Sequence, residues 1–349
     1  MSVPVLAAAH LDVAGVSTAL IDVSPESTSA RSASQPPILL LHGSGPGVTA
    51  AANWRPVIPA LSEDRRVLAP DQLGFGGTAT GEPRTYGRRA WTEHALALLD
   101  TLGVGTVDII GNSMGGAIAL SMAVARPRAV RRIVLMGSMG VAMALPPGLD
   151  TVWGYTPGTE QMREVIGLFA HDRGLITDEL VEMRYQASLD EQVRASWEAM
   201  FPAPRQRWVD DLALPGAELA AITAPVLLVH GRDDRVVPWR ISSAQLIDLL
   251  PDARLHLISG CGHWTMIEKT ADFLTAVRPF LSPLAELLRM PSLPESRPLM
   301  ADENDGRWEK SPLLLEGLPY YHPASAHVLY DGEIISTTMA ATPSVLRRR

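Results

Sequence analysis

The sequence predicts an α/β fold in which a mostly parallel sheet carries helices on both of its faces. Near-continuous apolar runs, such as residues 37–41 and 107–110, are typical of strands that are covered on both sides. Helical patterns, the clearest over residues 86–102, alternate with these runs. A long stretch, residues 141–214, has recurring helical patterns but no convincing strand. These three observations indicate a wound sheet that is interrupted by an all-helical insertion.

The individual strands follow in chain order from their apolar patterns. Alternation over residues 16–23 predicts the first strand, and a polar loop over residues 24–34 follows it. Further strands are predicted over residues 37–41, 66–70, 107–110, 132–136, 224–231 and 255–258. In a sheet of this kind, ligands bind at the carboxyl ends of the strands. The loops that follow the strands are therefore the first place to look for functional residues.

The chain is interpreted as a core in two parts with an insertion between them. Residues 1–140 and 215–282 form the α/β core, and residues 141–214 form a helical lid. The lid is expected because an insertion between two strands lies over the edge of the sheet where ligands bind. The alternative is that these helices only pad the core.

Residues 283–349 are predicted to be a poorly ordered C-terminal extension. Prolines at 283, 291, 294 and 298 and an acidic stretch over residues 301–306 break up its patterns. One local signal remains, because Asp331-Gly332 lies between two apolar runs and favours a tight hairpin over residues 327–336. An isolated hairpin is marginally stable, so the extension as a whole is not expected to be well ordered.

Composition limits the classes of protein to which the chain can belong. Its 349 residues are 46% hydrophobic, which is enough for a large core, and its net charge of −8 argues against nucleic acid as a partner. A single cysteine, Cys261, rules out an internal disulfide framework and a cysteine-based zinc cluster. The apolar residues 3–9 resemble neither a signal peptide nor a spanning helix. We expect a cytoplasmic protein without a metal or a membrane partner.

The segment Gly111-Asn112-Ser113-Met114-Gly115-Gly116 lies between an apolar run and a helical pattern. A serine at such a strand-to-helix corner is pushed out of the backbone, and glycines remove the Cβ atoms that would clash there. The helix that follows directs its N-terminus toward any negative charge that develops beside the serine oxygen. Ser113 is therefore a candidate nucleophile, and the alternative is an ordinary turn serine.

A serine hydroxyl needs a base, and the base needs an acid that holds its tautomer. His263 lies in a glycine-containing loop after an apolar run near the end of the core, and it is the candidate base. Asp233 and Asp234 both follow the strand that ends near His230, and either could be the acid. The order of serine, acid and histidine along the chain is that of the α/β-hydrolases.

A tetrahedral oxyanion needs backbone N–H donors beside the nucleophile. Met114 follows Ser113 at the start of the predicted helix, so its amide is the first candidate donor. The loop over residues 43–47 follows another strand, and its glycines allow the backbone to approach a ligand closely. This loop is expected to supply the second donor.

Several separate motifs resemble those of one enzyme family. They are His42-Gly43-Ser44-Gly45-Pro46-Gly47, Asn53-Trp54, residues 111–116, Gly231-Arg232-Asp233-Asp234-Arg235 and Cys261-Gly262-His263-Trp264. Over residues 10–282 the sequence is similar to the meta-cleavage product hydrolases. These α/β-hydrolases split carbon–carbon bonds in ring-fission products of aromatic degradation. The form of residues 42–47, together with residues 201–208, resembles the branch that acts on monocyclic, alkyl-substituted products.

The resemblance implies roles for particular residues. It selects Asp234 as the acid and places the second oxyanion amide at Ser44, between Gly43 and Gly45 in the substrate loop. It matches Arg184 to a lid arginine that binds the substrate carboxylate. The polar and aromatic pocket positions of the family match Asn53, Asn112 and Trp264.

The resemblance also implies a function. The expected substrates are 2-hydroxy-6-oxo-2,4-dienoates, such as 2-hydroxymuconic semialdehyde and 2-hydroxy-6-oxohepta-2,4-dienoate, which yield a 2-hydroxydienoate and a carboxylic acid. No cofactor is expected, and the family implies a homo-oligomer. A carboxylesterase or perhydrolase of the same fold and a non-catalytic ligand receptor are the alternatives. The sequence departs from the family at Ala51-Ala52, where a bulkier residue is expected, and in the extension after residue 282.

Overall fold

An eight-stranded sheet forms the centre of the first of two units into which the chain divides, Met1–Met290 and Pro291–Arg349. The computed structural model describes residues 7–25, 35–78, 80, 84–282, 327–330 and 333–336. The strands of the sheet are β1 (Ala9–Val13), β2 (Val16–Val23), β3 (Ile38–Leu41), β4 (Val67–Pro70), β5 (Val107–Asn112), β6 (Val130–Met136), β7 (Val226–Gly231) and β8 (Ala253–Ile258). Their spatial order is β1-β2-β4-β3-β5-β6-β7-β8.

The direction of the strands confirms the predicted mostly parallel sheet. From β4 to β8 in the spatial order of the sheet, each strand is parallel to its neighbour. The two antiparallel pairs of this sheet are β1 with β2 and β2 with β4. Every residue of β3, β5 and β7 is buried. Because successive side chains of a strand point to opposite faces, this burial means that both faces of the central sheet are covered. The sequence has continuous apolar runs at these strands because both faces of the sheet are buried.

The strand β1 was not predicted from the sequence. It pairs antiparallel with β2 through a tight turn at Ala14 and Gly15, both of which have positive φ angles, 51° and 79°. Most of its side chains are exposed or half-buried because it lies at the edge of the sheet. An exposed edge strand needs no apolar run, and the sequence therefore carries no strong signal for it.

Helices surround the sheet. In the part of the chain that the structure describes, they are α1 (Ala50–Trp54), α2 (Ile58–Leu61), α3 (Arg88–Thr101), α4 (Met114–Ala125), α5 (Pro147–Trp153), α6 (Thr159–Phe169), α7 (Asp178–Leu189), α8 (Glu191–Met200), α9 (Gln206–Leu212), α10 (Gly216–Ala220), α11 (Ser243–Leu249), α12 (Thr265–Glu268) and α13 (Thr270–Leu281). Short 3₁₀ turns cover Gly76–Thr78, Pro127–Ala129, Arg173–Leu175 and Trp239–Ile241. The helix predicted over residues 86–102 is confirmed as α3. None of these helices is long and apolar enough to cross a membrane.

The segment between β6 and β7 contains helices α5 to α10 and no strand within its described residues. Side-chain caps begin two of its helices, since Thr177 accepts a hydrogen bond from an amide of the first turn of α7, and Asp190 does the same for α8. The segment is also held by aromatic packing. The ring of Trp153, at the end of α5, stacks on Phe201 after α8, with ring centres 4.5 Å apart and planes 4° from parallel.

The C-terminal unit contributes a described hairpin. Strands β9 (His327–Tyr330) and β10 (Glu333–Ser336) pair antiparallel, with Tyr330 opposite Glu333. This pairing confirms the hairpin that the sequence predicts over residues 327–336. The predicted poor order of the rest of residues 283–349 lies outside the described residues.

His94 on α3 is expected to make the fold lose stability as the pH falls from about 6.5 to about 4. Its side chain is buried, and its Nε2 lies 3.0 Å from the hydroxyl of Thr18, which donates to the carbonyl of Val16. Burial lowers the pKa of His94 to about 4. The unfolded chain binds a proton near pH 6.5 and the folded chain does not, so the free energy of unfolding should fall by up to about 3 kcal/mol over this range.

Urea denaturation of the wild type and His94→Gln, at pH 7 and pH 4.5, measures this loss. The variant should lose less stability than the wild type between the two pH values. The control is His256→Gln, which changes an exposed histidine on β8 and should keep the wild-type dependence. Equal losses in the wild type and His94→Gln would contradict the prediction.

Candidate active site

Ser113 lies at a sharp corner between β5 and α4. Its φ and ψ angles are 55° and −118°, a conformation that residues with a side chain rarely adopt. Hydrogen bonds hold this strained backbone, since the Ser113 amide donates to the carbonyl of Met136 at 2.9 Å and its carbonyl accepts from the amide of Met139 at 3.0 Å. Strain of this kind persists only where surrounding structure enforces it, and it is concentrated at functional sites.

Glycines allow three segments to meet at this corner. A Cβ atom at Gly115 would collide with the carbonyl oxygens of Leu41 and His42, at the end of β3. A Cβ atom at Gly43 would lie 3.0 Å from the Cβ of Ser113. The loop that follows β3 therefore lies directly beside the serine, as the prediction of a second oxyanion donor requires.

The structure brings Asp234 and His263 together. Asp234 Oδ2 lies 2.6 Å from His263 Nδ1, and both side chains are buried. The other oxygen, Oδ1, accepts hydrogen bonds from the amides of Val236 and Val237 at 2.8 and 2.9 Å. Burial alone would raise the pKa of Asp234, but the charge of His263 and hydrogen bonds from His230 and His263 outweigh it and hold this pKa well below its usual range. The carboxyl group is therefore ionised, and it fixes the orientation of the imidazole.

His230 is a second histidine on the same carboxylate, and sequence reasoning missed it. Its Nε2 lies 2.8 Å from the carbonyl of Val237 and 3.1 Å from Asp234 Oδ2. Because a carbonyl can only accept, Nε2 carries a proton, and Nδ1 lies 2.6 Å from the Ser243 hydroxyl. His230 is completely buried at the end of β7. Its only sequence signal was a histidine at a buried strand end.

The neighbouring carboxylate, Asp233, serves a different contact. Its Oδ2 accepts a hydrogen bond from the amide of Gly260 at 2.9 Å, and its own amide donates to the carbonyl of Cys261 at 2.9 Å. Asp233 therefore binds the backbone of the loop that carries His263 and not the imidazole.

Burial raises the pKa of the Cys261 thiol to about 12, so this thiol stays protonated.

His42 holds the loop beside Ser113 in place. Its Nε2 accepts a hydrogen bond from the amide of Gln72 at 2.9 Å, so its Nδ1 carries the proton and donates to the carbonyl of Gly43 at 2.8 Å. Burial lowers the pKa of His42, which keeps the ring neutral and this pattern intact. With the Gly43 carbonyl held by His42, the peptide that joins Gly43 to Ser44 has a fixed orientation.

The two candidate oxyanion amides belong to Ser44 and Met114. The Ser44 hydroxyl accepts a hydrogen bond from Trp153 Nε1 at 2.8 Å, which ties this side chain to the end of α5. Met114 is the first residue of α4, where backbone N–H groups have no partner within the helix. Its amide adjoins the Ser113 side chain at the positive end of the helix dipole.

A cavity borders these residues. Its polar lining contains the predicted Ser113, His263, Asn53, Asn112 and Arg184, and the loop of Gly43, Ser44 and Gly45 also borders it. Its apolar lining consists of Pro46, Val48, Met162, Val165, Ile166, Phe169 and Trp264. Asp234 and Met114 do not line the cavity; Asp234 contacts His263, which does, and Met114 remains a candidate through its backbone amide.

Arg184 is a buried cation, 5% exposed, that reaches the cavity from α7. Its Nη1 donates to the carbonyl of Gly47 at 3.2 Å, and its guanidinium carbon lies 5.5 Å from the centre of the Trp264 ring. Its Nε has no hydrogen-bond partner, and among the described residues no carboxylate pairs with it. Burial lowers its pKa to about 10, which leaves it charged at neutral pH. The Nδ2 atom of Asn53 is a second buried donor without a partner at this cavity.

The remaining predicted pocket residues are fixed by packing. The ring of Trp264 stacks on Phe169 of α6, with centres 4.9 Å apart. Asn112 donates from Nδ2 to the carbonyl of Met136 at 3.1 Å. Ala51 and Ala52, where a bulkier residue was expected, do not line the cavity, so this departure leaves the described lining unchanged.

In the described ranges, no three histidine, cysteine, aspartate or glutamate side chains are placed to hold a metal ion.

Comparison with known proteins agrees with this geometry. A family described as the alpha/beta hydrolase fold matches residues 36–270. The 2-hydroxymuconate semialdehyde hydrolase of Pseudomonas sp. (strain CF600) is 49% identical over 246 residues, which are 70% of this chain and 87% of that protein. The 2-hydroxy-6-oxo-2,4-heptadienoate hydrolase of Pseudomonas putida (strain F1) is 48% identical, over 70% of this chain and 89% of that protein.

A solved structure gives the same result. A meta-cleavage product hydrolase from Pseudomonas fluorescens IP01, a serine-to-alanine mutant complexed with acetates, is 42% identical to this chain and has a TM-score of 0.74. The match covers 80% of this chain and 98% of that chain. The chain belongs to the alpha/beta hydrolase fold family, and within it to the meta-cleavage product hydrolases.

Proposed function

We propose that the protein hydrolyses a carbon–carbon bond in 2-hydroxy-6-oxo-2,4-dienoates, giving a 2-hydroxydienoate and a carboxylic acid. The observation that carries the proposal is the buried Arg184, which reaches the cavity that also contains Ser113 and His263. A buried cation without a carboxylate partner in the described chain is unfavourable unless a ligand supplies one. The names of the 47–49% identical relatives support the same substrate class.

The carboxylate of the dienoate is assigned to the end of the cavity that holds Arg184 and Asn53. Among the side chains that line the cavity, the Arg184 Nε and the Asn53 Nδ2 are the buried donors that lack partners. A carboxylate can accept from both, and a charge-assisted hydrogen bond is about twice as strong as a neutral one. The apolar groups of α6, Met162, Val165 and Ile166, are assigned to the substituent at the other end of the substrate.

Ser113 is assigned as the nucleophile, with His263 as its base and Asp234 as the acid that orients the base. The carboxylate accepts from Nδ1 of His263, which leaves Nε2 free to receive the serine proton. The amides of Ser44 and Met114 are assigned to the oxyanion that forms when the serine attacks the distal ketone of the substrate. Fixed backbone donors of this kind stabilise charge that appears only in the transition state.

Breaking a carbon–carbon bond requires somewhere for its electron pair to go. Ketonisation of the dienol, assisted by His263, creates a carbonyl that can accept this pair. When the serine adduct collapses, the bond next to the ketone carbon breaks, the pair enters the conjugated carbonyl, and a proton restores the 2-hydroxydienoate. The remaining acyl group stays on Ser113 until water, activated by His263, releases the carboxylic acid.

The finer organisation is proposed from the same evidence. The helices of residues 141–214 act as a lid, because Arg184, Phe169 and Met162 from this segment line the cavity. Residues 1–140 and 215–282 form the core, and residues 283–349 an extension. We place the protein in the cytoplasm as a homo-oligomer that needs no cofactor, in keeping with catabolic enzymes of this kind.

A spectrophotometric assay tests the function. The conjugated dienolate is yellow, and when the protein is mixed with 2-hydroxy-6-oxohepta-2,4-dienoate its absorbance should disappear and acetate should be released. A carboxylesterase or perhydrolase would cleave simple esters and leave the yellow colour. A ligand receptor would bind the dienoate tightly without turning it over. Either of these results would reject the proposed function.

Arg184→Gln should raise KM for the dienoate by roughly 30-fold or more, because losing one partner of a buried charged pair costs about 2–5 kcal/mol. Hydrolysis of an uncharged aryl acetate should change less than about threefold, because this ester has no carboxylate to bind. Steady-state kinetics on the two substrates measure the difference. The control is Arg194→Gln, since Arg194 lies exposed on the next helix. Equal effects of Arg184→Gln on both substrates would remove Arg184 from the carboxylate site.

A further inference from the structure

The end of helix α6 is joined to the loops that carry both the acid and the base. The amide of His263 donates to the carbonyl of Phe169 at 2.7 Å. The guanidinium of Arg235, which follows the acid in the chain, donates to the carbonyls of Gly167 and Ala170. These contacts bring the cavity wall formed by α6 against the catalytic loops.

A single carboxylate, that of Glu268, completes this junction. Its Oε1 accepts a hydrogen bond from the amide of Gly262 at 2.9 Å, one residue before His263. Its Oε2 accepts from the amides of His171 and Asp172, after α6, at 2.8 and 2.9 Å. Glu268 therefore satisfies three backbone donors from two segments that are about 90 residues apart in sequence.

The loop before His263 has little stiffness of its own. Gly260 adopts a positive φ of 61°, and Gly262 lies so close to the lid segment that an added Cβ would be 2.8 Å from the His171 amide and 2.9 Å from Glu268 Oε1. Glycine backbone is the most conformationally free, so external contacts must set its position. The imidazole ring of His263 is held by Asp234, and the backbone of its loop is held by Asp233 before Gly262 and by the junction with α6 at Gly262 and His263.

We propose that Glu268 is a positioning residue for His263, holding the backbone of the base at a fixed distance from Ser113 by tying it to the end of α6. The proposal rests on the function proposed above, in which His263 is the base. It gives Glu268 no contact with the substrate, since Glu268 does not line the cavity. Displacing a catalytic group by about 1 Å can cost up to 100-fold in rate, so such a contact can matter for turnover.

The chemistry requires a carboxylate and not only a side chain of the right size. An ionised carboxylate is an acceptor at both oxygens, whereas glutamine has one acceptor oxygen and an NH₂ group that can only donate. In Glu268→Gln, one side of the junction therefore places a donor against a backbone N–H. Either the Gly262 amide or the two amides after α6 lose their partner, although the side chain keeps its shape.

The test compares Glu268→Gln with the wild type in three measurements. We expect kcat for the dienoate to fall by about tenfold, with KM changed less than about twofold. We expect the rate at which a fluorophosphonate labels Ser113 to fall by a similar factor, because labelling also depends on the base. The affinity for the dienoate, measured in a Ser113→Ala background, should change less than about twofold. Glu63→Gln, at an exposed ion pair with Arg278, is the control and should leave all three unchanged.

Two results would overturn the proposal. One is a kcat and labelling rate within twofold of the wild type, and the other is a loss of dienoate affinity as large as the loss of kcat. Should Glu268→Gln fail to fold, Glu268→Asp replaces it in the test. Aspartate keeps both acceptor oxygens, but its shorter side chain cannot reach both segments at once. We therefore expect the same result as for Glu268→Gln, a lower kcat with little change in the affinity for the dienoate. The labelling measurement needs no dienoate, so it tests Glu268 even if the proposed substrate is wrong.

Discussion

Ser113→Ala is expected to lower kcat for the dienoate by at least about 10⁴-fold. The residue occupies the strained corner between β5 and α4 and borders the cavity together with His263. Without the hydroxyl no acyl-enzyme can form, and neither the oxyanion amides nor the base can replace the missing nucleophile. Ketonisation of the dienol does not require the serine in this mechanism. The variant should therefore bind the dienoate and still change its spectrum, although it releases no carboxylic acid.

Stopped-flow absorbance, together with chromatography of the products, measures both parts of this prediction. Ser121→Ala changes another serine on α4, outside the cavity lining, and should retain wild-type rates. Its retention would show that removing a hydroxyl from this helix does not itself disturb the fold. A rate for Ser113→Ala close to that of the wild type would reject the nucleophilic role.

Much of the fold was predictable because the sheet is buried on both sides. The four residues of β3 and the first four of β7 are all apolar, as burial on both sides of the sheet favours, and this pattern is visible in the sequence. The edge strand β1 was missed for the opposite reason, since its exposed positions place little demand on residue type. The parallel direction of the central strands also explains why candidate residues distant in sequence meet, because their carboxyl ends lie at one edge of the sheet.

The residue types of the site were predictable, but some of their partners were not. Spacing alone left Asp233 and Asp234 as equal candidates, and the difference lies in the turn. The amides of Val236 and Val237 hold one carboxylate toward His263, whereas the other accepts from the amide of Gly260. Which side chain a turn directs toward a distant residue depends on backbone angles that residue spacing does not specify.

The residues that sequence reasoning missed have a common feature. His230 and Glu268 act through backbone groups or through another side chain, so neither belongs to a recognisable set of reacting groups. Arg184 was reached only through family resemblance, because an arginine on a lid helix looks like any solvated surface residue until its burial is known. Contacts across separate segments of the chain are the part of the site that local patterns do not encode.

Asp234→Asn should lower kcat by about 10³–10⁴-fold with little effect on KM. The amides of Val236 and Val237 would still select the amide oxygen of asparagine, which leaves its NH₂ group facing His263 Nδ1. A donor at this position forces Nδ1 to accept and puts the imidazole proton on Nε2. In that tautomer, His263 cannot take the proton of Ser113.

The matched variant is Asp233→Asn, because its neighbouring carboxylate binds the Gly260 amide and not the imidazole. Asp233→Asn should reduce kcat much less than Asp234→Asn, and equal losses would contradict the assignment of the acid.

Acid denaturation gives an independent check, since the folded pKa of Asp234 lies below its unfolded value. The stability that this ionised carboxylate contributes is present above about pH 4 and is lost as the pH falls through its folded pKa. Asp234→Asn should lack this part of the acid dependence, while Asp233→Asn should retain it.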